Sequence, residues 1–353
     1  MVKLRDIALL RLAAQRIAGD RFGSAADVAR WMTAMQAQDY AGAMTSVALR
    51  TQSRARTDVE AAINVGQIVR SWPMRGTLHF VAAEDLGWML SLTTDRLIAG
   101  AALRRTRLEL DLPTIERARE VAVSELSGGR RLRREALVAI WEKAGLLGLP
   151  QRAYHLIWHL GQTGTLCFGP IDRGQQCLVL LDEWVTKPRR LDRDVALGEW
   201  ALRYFRSHGP ATAKDFAWWT KLVSADVKSG LAIAKPHLEK AVVDGVDYYF
   251  DPATPAALEA GKTAARGVLL LPGFDEYLLG YQDRGASLAP EYAQRVVPGG
   301  NGMFLSTVVF HGAIVGTWKR AGSGAKRSIL ATPFDAFTPV VLKAIPKLYD
   351  ALP

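Results

Sequence analysis

Apolar residues recur at helical spacing along the chain, and one kind of helix start appears twice in nearly the same letters. Residues 24–31 read SAADVARW and residues 212–219 read TAKDFAWW. In both, a hydroxyl side chain is placed to cap the first turn, and the aspartate three residues later can reach back as a capping box. Apolar spacing of i, i+3, i+4 and i+7 predicts one buried face in the first helix, formed by Val28, Trp31, Met32 and Met35.

The segments after these helix starts are also similar, and a weaker third copy, LRREALVAIW at residues 132–141, carries Glu135 at the acidic position. The patterns predict a helix, a turn and a strand over 57–80. They predict a helix and two strands, LCFGPI and CLVLLDEWV, over 151–185. Over 224–250 they predict a helix ending near Asp244-Gly245 and then the strand VDYYF. Helix, helix and hairpin is the order of a winged helix.

The C-terminal part has a different pattern. Residues 266–333 hold runs of strand formers broken by glycine, with a tight turn at His311-Gly312, and a final helix closes the chain. We therefore predict an α+β fold with three tandem winged-helix units followed by a small C-terminal β-barrel or curled sheet. The predicted divisions are 1–100, 101–190, 191–258 and 259–353.

The net charge of the chain indicates what kind of partner it binds. The 353 residues include 45 Lys and Arg against 35 Asp and Glu, a net charge of +10. This excess favours a polyanion such as DNA, because cations that neutralise phosphates release condensed counterions. The N-terminal residues lack a signal-peptide core, and no apolar run is long enough to span a bilayer. We expect a cytoplasmic, nucleoid-associated protein without a membrane partner.

Common catalytic signatures are missing from the sequence, among them GxGxxG after a strand, HExxH, GxSxG and paired CxxC motifs. His155 and His159 stand four apart on a predicted helix, but no further ligand accompanies them, so we expect no metal. Two other segments are candidates for function. AMQAQDY lies at the end of the first capped helix, and RSWPMRGTLHF places two arginines, a tryptophan and a histidine around a proline turn.

Those segments, together with HGPATAKDFAWW, LLPGFDEYLLGYQDR, GNG and GTWKR, resemble the AlkZ-like family of winged-helix DNA glycosylases over nearly the whole chain. The resemblance implies tandem winged helices and a β-barrel around a concave DNA-binding face. It also implies excision of N7-alkylguanine-type lesions, in some members including bulky adducts and crosslinks. The family's Gln-x-Gln signature falls on Gln36 and Gln38, and Asp39 is one residue out of place for the carboxylate of the Gln-x-Asp branch.

Two carboxamides can support such chemistry only when the base leaves easily. Glutamine is a poor general base, but it can orient a water molecule and direct its carbonyl dipole at a sugar cation. A purine alkylated at N7 or N3 is already cationic and needs no protonation to leave. Residues two apart point about 200° apart on a helix, so we predict that the helix unwinds near Met35. We expect a monofunctional glycosylase with no lyase step and no cofactor.

Duplex DNA with alkylated purines is the expected partner, and we expect a monomer. The candidate DNA contacts are Arg70, Trp72, Arg75, His79, Arg130, Arg131, Arg133, Arg173, Lys319 and Arg320. For each of them a solvated side chain, or for Trp72 a buried one, is the more common explanation. Two non-catalytic alternatives stay open: a winged-helix regulator or damage sensor, and a self-resistance protein that sequesters a genotoxic metabolite.

Overall fold

The chain folds into two compact units, one of which is built from two separate stretches of sequence. Unit 1 comprises residues 1–59 and 197–353, and unit 2 comprises residues 60–196. The computed structural model describes residues 4–322 and 327–353. Across these residues, no helix combines the length and apolar content that crossing a bilayer requires.

The N-terminal stretch of unit 1 is mainly helical. Its elements are α1 (Leu4–Ala14), α2 (Ala25–Met32), β1 (Ala34–Gln36) and α3 (Tyr40–Leu49), followed by α4 (Arg56–Asn64) at the boundary between the units. The predicted cap of α2 is present, since the Ser24 side chain accepts a hydrogen bond from the Asp27 backbone N–H at 3.1 Å.

Unit 2 holds an antiparallel sheet and the helices that cover it. Its elements are β2 (Ile68–Met74), β3 (Thr77–Ala82), α5 (Leu86–Gly100), α6 (Ala102–Arg107), α7 (Leu112–Leu126), β4 (Leu132–Arg133), α8 (Arg134–Lys143), α9 (Arg152–Gln162), β5 (Leu166–Asp172), β6 (Gln175–Leu180) and α10 (Leu181–Trp184). The strands follow one another in the order β3-β2-β5-β6-β4. From α7 to β6 the element order is that of a winged helix, with its wing turn at Arg173. The predicted strand CLVLLDEWV stops at Leu180, because LDEW forms α10.

The C-terminal stretch of unit 1 begins with a second set of elements in winged-helix order. It contains α11 (Arg193–His208, which starts just before the boundary), α12 (Ala213–Thr220), α13 (Ser224–Ala234), β7 (Glu239–Val243) and β8 (Val246–Phe250). Thr212 and Asp215 form the predicted capping box at the start of α12. The helix predicted to reach Asp244-Gly245 ends at Ala234 instead, since Pro236 comes soon after and lacks a backbone N–H.

A four-stranded antiparallel sheet and a closing helix complete unit 1. The elements are α14 (Thr254–Arg266), β9 (Val268–Leu271), α15 (Glu276–Leu279), α16 (Ala293–Val296), β10 (Ser306–Phe310), β11 (Ala313–Ala321), β12 (Ser328–Pro333) and α17 (Pro339–Asp350). The predicted turn at His311-Gly312 joins β10 to β11. In the described residues the sheet has the open order β12-β11-β10-β9, so the predicted closed barrel is not confirmed. The predicted count of three winged helices is not confirmed either, because the elements of the first are divided between the two units.

Candidate active site

The Gln-x-Gln motif lies in extended backbone between two helices. Helix α2 ends at Met32, and Thr33 has φ +66°, which is rare for a β-branched residue and turns the chain out of the helix. Strand β1 then runs to Gln36, and α3 begins at Tyr40. The predicted break in the helix is confirmed, three residues earlier than expected. Met35 is buried, but it belongs to the strand and not to the buried helix face that its spacing predicted.

The two glutamines of the motif differ in exposure. Gln38 is exposed, whereas Gln36 is half-buried and its Oε1 atom is shielded from solvent. Among the residues that the structure describes, this oxygen has no hydrogen-bond partner. A buried acceptor left unpaired costs about 1–3 kcal/mol. Gln36 Oε1 is therefore suited to accept a hydrogen bond from a water molecule or a ligand.

Asp39, next to the motif, has a structural contact. It is the N-cap of α3, and its Oδ1 atom accepts a hydrogen bond from the Gly42 backbone N–H at 3.2 Å. A Cβ atom on Gly42 would lie 2.6 Å from the other carboxylate oxygen, so the cap requires glycine there. The carboxylate thus fixes the start of the helix that comes after the two glutamines.

A buried carboxylate holds Gln36 in place from the far end of the sequence. The Gln36 backbone N–H donates to Glu276 Oε1 at 3.0 Å, and Trp219 Nε1 donates to Glu276 Oε2 at 2.9 Å. Glu276 is 1% exposed. Because buried charges need partners, these contacts favour one fixed position of the carboxylate, and with it one position of the Gln36 backbone.

Aromatic rings surround this carboxylate. His208 Nε2 lies 3.5 Å from Glu276 Oε2, and the Tyr204 ring stacks on the His208 ring with centroids 4.8 Å apart. Burial raises the pKa of Tyr204 well above its ordinary value, so the phenol stays neutral. The Tyr204 hydroxyl donates to the Gly280 carbonyl at 2.8 Å, which anchors the end of α15.

A buried ion pair fixes the segment just before Glu276. Arg50 donates to both carboxylate oxygens of Asp275 at 2.9 Å, and its Nη2 atom also donates to Gln15 Oε1 at 2.8 Å. Asp275 caps α15 by accepting from the Tyr277 backbone N–H. The bidentate pair joins the end of α3 to the start of α15. Gln36, which contacts Glu276, and α3, which follows the motif, are therefore held by neighbouring residues of one buried network.

An open cavity of about 370 Å³ begins at Asp39, directly after the motif; we call it the Asp39 cavity. One wall is the first turns of α3, and the others are the loop before α15, the segment before β10 and the end of β11. Its lining includes Thr45, Phe274, Met303, Phe304, Leu305, Lys319 and Arg320. The two cations predicted to contact DNA after the C-terminal strand therefore stand at the same cavity, and both are exposed.

Four of the predicted DNA contacts lie on the β2–β3 hairpin of unit 2. Trp72 is buried against α9, where a Cβ atom on Gly161 would come within 2.6 Å of the indole. His79 is buried between the Thr77 carbonyl, 2.8 Å away, and Arg75 Nη2, 2.9 Å away. Their burial corrects the prediction for Trp72 and His79, which pack inside unit 2 and do not present a surface to a duplex.

The remaining cations of unit 2 differ in how firmly they are held. Arg70 and Arg75 are half-buried, and Arg70 donates to Gln176 Oε1 at 3.2 Å. Arg133 pairs with Asp172 at 3.6 Å. The exposed cations of the predicted set in this unit are Arg130, Arg131 and Arg173. Of these, Arg130 donates to the Ser127 carbonyl at 2.9 Å, while Arg173 stands at the wing turn with φ +48°.

Known proteins are similar to this chain in sequence and in fold. A family model described as DNA glycosylase AlkZ-like matches residues 29–351. The chain belongs to the AlkZ-like family. The predicted enzyme class is thereby confirmed: this AlkZ-like protein is a DNA glycosylase, which hydrolyses N-glycosidic bonds.

A curated relative and a solved structure, both from Streptomyces sahachiroi, are similar to this AlkZ-like chain. An interstrand DNA cross-link repair glycosylase is 28% identical over 342 residues, which is 92% of this chain and 88% of the relative. The solved structure of DNA glycosylase AlkZ aligns with a TM-score of 0.81 and 24% identity, covering 98% of this chain and 95% of that one. The similarity to the solved structure shows a shared fold.

Sequence reasoning missed Glu276 and Asp275 as parts of this AlkZ-like site. Both stand in LLLPGFDEYLLG, where two acidic residues interrupt an otherwise apolar run. Acidic side chains on a buried segment must find charged or N–H partners, which is a signal that the sequence does contain. Which partners they find depends on contacts with residues more than 200 positions away.

Proposed function

We propose that the protein is a monofunctional glycosylase that removes cationic alkylpurines of the N7-alkylguanine type from duplex DNA, including bulky adducts and interstrand crosslinks. The observation that carries the proposal is the buried Gln36 Oε1 atom, which has no hydrogen-bond partner within residues 4–322 and 327–353. It lies in an extended segment, two residues before an exposed second amide. The crosslink part is supported by the name of the Streptomyces sahachiroi relative.

In the proposed reaction, Gln36 and Gln38 accept hydrogen bonds from one water molecule and orient its oxygen toward C1′ of the damaged nucleotide. The N-glycosidic bond breaks, and its electron pair goes to the purine and cancels the positive charge there. The water oxygen then bonds to C1′ and its proton is lost to solvent. The carbonyl dipoles of both amides stabilise the developing sugar cation.

The amide pair accounts for substrate class because neither side chain is a strong general base or acid. A neutral base such as uracil needs help to leave, whereas an N7-alkylated guanine does not. Exposed cations, above all Arg131, Arg173, Lys319 and Arg320, supply phosphate contacts in this proposal.

The decisive experiment incubates purified protein with a duplex that carries one N7-methylguanine and measures release of the free base. Gln36→Ala and Gln38→Ala are expected to lower the single-turnover excision rate by about 100-fold or more, a loss of the size seen when an electrostatic stabiliser is removed. Both variants are expected to keep wild-type affinity for undamaged duplex. Unchanged DNA with wild-type protein would favour a binding role instead.

A further inference from the structure

His208, the last residue of α11, is a buried histidine whose ring faces the carboxylate of Glu276. It is 0% exposed, and the rings of Tyr204, Trp219 and Tyr281 surround it at centroid distances of 4.8, 4.9 and 6.1 Å. Burial raises the pKa of both tyrosines, so neither phenol carries a charge beside the imidazole. At this depth a charge on the ring needs a partner, so the contacts of the two ring nitrogens determine its protonation state.

Hydrogen bonds of the neighbouring serine indicate that Nδ1 carries a proton. The Ser207 hydroxyl lies 2.8 Å from the Arg203 carbonyl oxygen and 2.8 Å from His208 Nδ1. A hydroxyl has one hydrogen, and a carbonyl oxygen can only accept, so the hydroxyl donates to Arg203. His208 Nδ1 must then carry a hydrogen of its own and donate it to the Ser207 oxygen.

The opposite nitrogen, His208 Nε2, lies 3.5 Å from Glu276 Oε2. In a neutral ring with its proton on Nδ1, the lone pair of Nε2 would face a carboxylate oxygen, which is repulsive. A second proton on Nε2 replaces this repulsion by a charge pair. The carboxylate does not take that proton, because the Gln36 backbone N–H and Trp219 Nε1 both donate to it and stabilise its charged form.

Two other buried acids of unit 1 have cations of their own. Arg11 Nη2 lies 3.9 Å from Asp215 Oδ2, and Arg50 donates to both oxygens of Asp275 at 2.9 Å. All four side chains belong to residues that are at most 4% exposed. Since these arginines are engaged with other acids, a protonated imidazole is suited to supply the counter-charge that the buried Glu276 carboxylate requires.

We propose that His208 is an imidazolium that positions Gln36 through Glu276, and that base excision depends on its second proton. This inference rests on the proposed function and adds a positioning residue to it. With the proton in place, Nε2 attracts one oxygen of the carboxylate while the other accepts from the Gln36 backbone at 3.0 Å. Without the proton the carboxylate is repelled, and Gln36 moves away from the water molecule that it orients. The glutamines themselves do not titrate near neutral pH, so they add no pH dependence of their own.

Two measurements on the whole protein test the inference from about pH 6 to about pH 9. The first is the ¹⁵N NMR spectrum of the His208 ring, whose signals are assigned by their loss in His208→Gln. We expect both ring nitrogens to carry a proton at about pH 6. The second is the single-turnover rate of N7-methylguanine excision from a duplex, which we expect to follow the fraction of His208 that is protonated.

Two substitutions separate the proton from the shape of the side chain. His208→Gln offers Glu276 an N–H donor that does not titrate, so we expect excision within about fivefold of wild type and no loss toward alkaline pH. His208→Phe keeps a planar ring without a donor, and we expect about 100-fold slower excision at every pH. The matched control is His155→Gln, the same change at a buried histidine of unit 2, which is expected to leave the rate and its pH dependence unchanged.

Three outcomes would overturn the inference while leaving the proposed function in place. The first is a His208 ring whose Nε2 is bare at about pH 6. The second is a His208→Phe protein that excises as fast as wild type, and the third is the wild-type pH dependence retained in His208→Gln. Failure of the wild-type protein to release N7-methylguanine would refute the proposed function itself, whereas the NMR spectrum decides the charge of His208 in either case.

Discussion

Gln36 and Glu276 are joined by a hydrogen bond across 240 positions of sequence: the Gln36 backbone N–H donates to Glu276 Oε1 at 3.0 Å. Trp219 Nε1 donates to the other oxygen of the same carboxylate. Both groups are donors only, so the residue at 276 must offer an acceptor on each side. The position of the Gln36 amide therefore depends on a buried acid that takes no part in the proposed bond changes.

Glu276→Gln is expected to slow excision of N7-methylguanine by about 100-fold. The NH2 group of the new glutamine must face one of the two N–H donors, and the Gln36 backbone is then displaced by a fraction of an ångström or more. The measurement is the single-turnover excision rate, with affinity for undamaged duplex as the control that the fold is intact.

The double variant Glu276→Gln/Trp219→Phe distinguishes positioning from a general loss of stability. With the indole N–H removed, the amide can turn its oxygen to Gln36, so we expect the double variant to excise faster than Glu276→Gln alone. Trp219→Phe alone is the matched single variant. Additive losses in this cycle would contradict the positioning role.

Asp275→Asn is expected to lower the free energy of unfolding by about 3–5 kcal/mol, because it leaves the buried Arg50 guanidinium without its counter-charge. Urea unfolding measures the loss. The control is Glu116→Gln, which breaks an exposed pair with Arg119 and is expected to leave the urea midpoint nearly unchanged. A similar small cost for Asp275→Asn would show that the pair is solvated.

Asp39→Asn is expected to keep both stability and excision, since asparagine caps helices as well as aspartate does. Asp39→Ala should lose about 1 kcal/mol of stability. Loss of excision in Asp39→Asn, together with a changed pH–rate profile, would instead assign Asp39 as the base that the glutamines are proposed to replace.

Lower pH is expected to destabilise the protein through His155. Burial, then the neighbouring charges of His159, Arg104 and Arg105, lower the pKa of His155 from 6.5 to about 4. The folded state therefore binds fewer protons than the unfolded state in this range, so its stability is complete above pH 6.5 and falls toward pH 4.

His155→Gln should reduce the loss of stability between pH 6.5 and pH 4. The measurement is the urea midpoint of unfolding at a series of pH values. Exposed carboxylates titrate over the same range in both proteins and cancel in the comparison. Identical slopes for wild type and variant between pH 6.5 and about 4 would show that the imidazole is protonated in the folded state.

Local signals in the sequence predicted the parts of the fold that local contacts form. The capping box of Thr212 and Asp215 and the turn at His311-Gly312 both appear where the residues placed them. Each depends on the conformational preferences of a few adjacent residues. The family resemblance pointed to Gln36 and Gln38 as the catalytic pair, an assignment that stays a prediction, and helix geometry predicted the break before them.

The rest of the site depends on non-local contacts and was not predicted. Nothing near Gln36 shows that its N–H faces Glu276, and nothing near Arg50 shows that it pairs with Asp275. Trp72 and His79 looked like surface contacts because their segment is rich in arginine, but tertiary packing buries them. Pairings over such distances require knowledge of the tertiary fold.

Because unit 1 is assembled from both ends of the chain, synthesis on the ribosome separates the two halves of this site in time. At about 5–20 residues per second, Glu276 leaves the peptidyl transferase centre on the order of 10–50 s after Gln36. During that interval the nascent chain carries Gln36 without the carboxylate that accepts its backbone N–H. We therefore expect no base excision from a prematurely terminated chain that ends before α15.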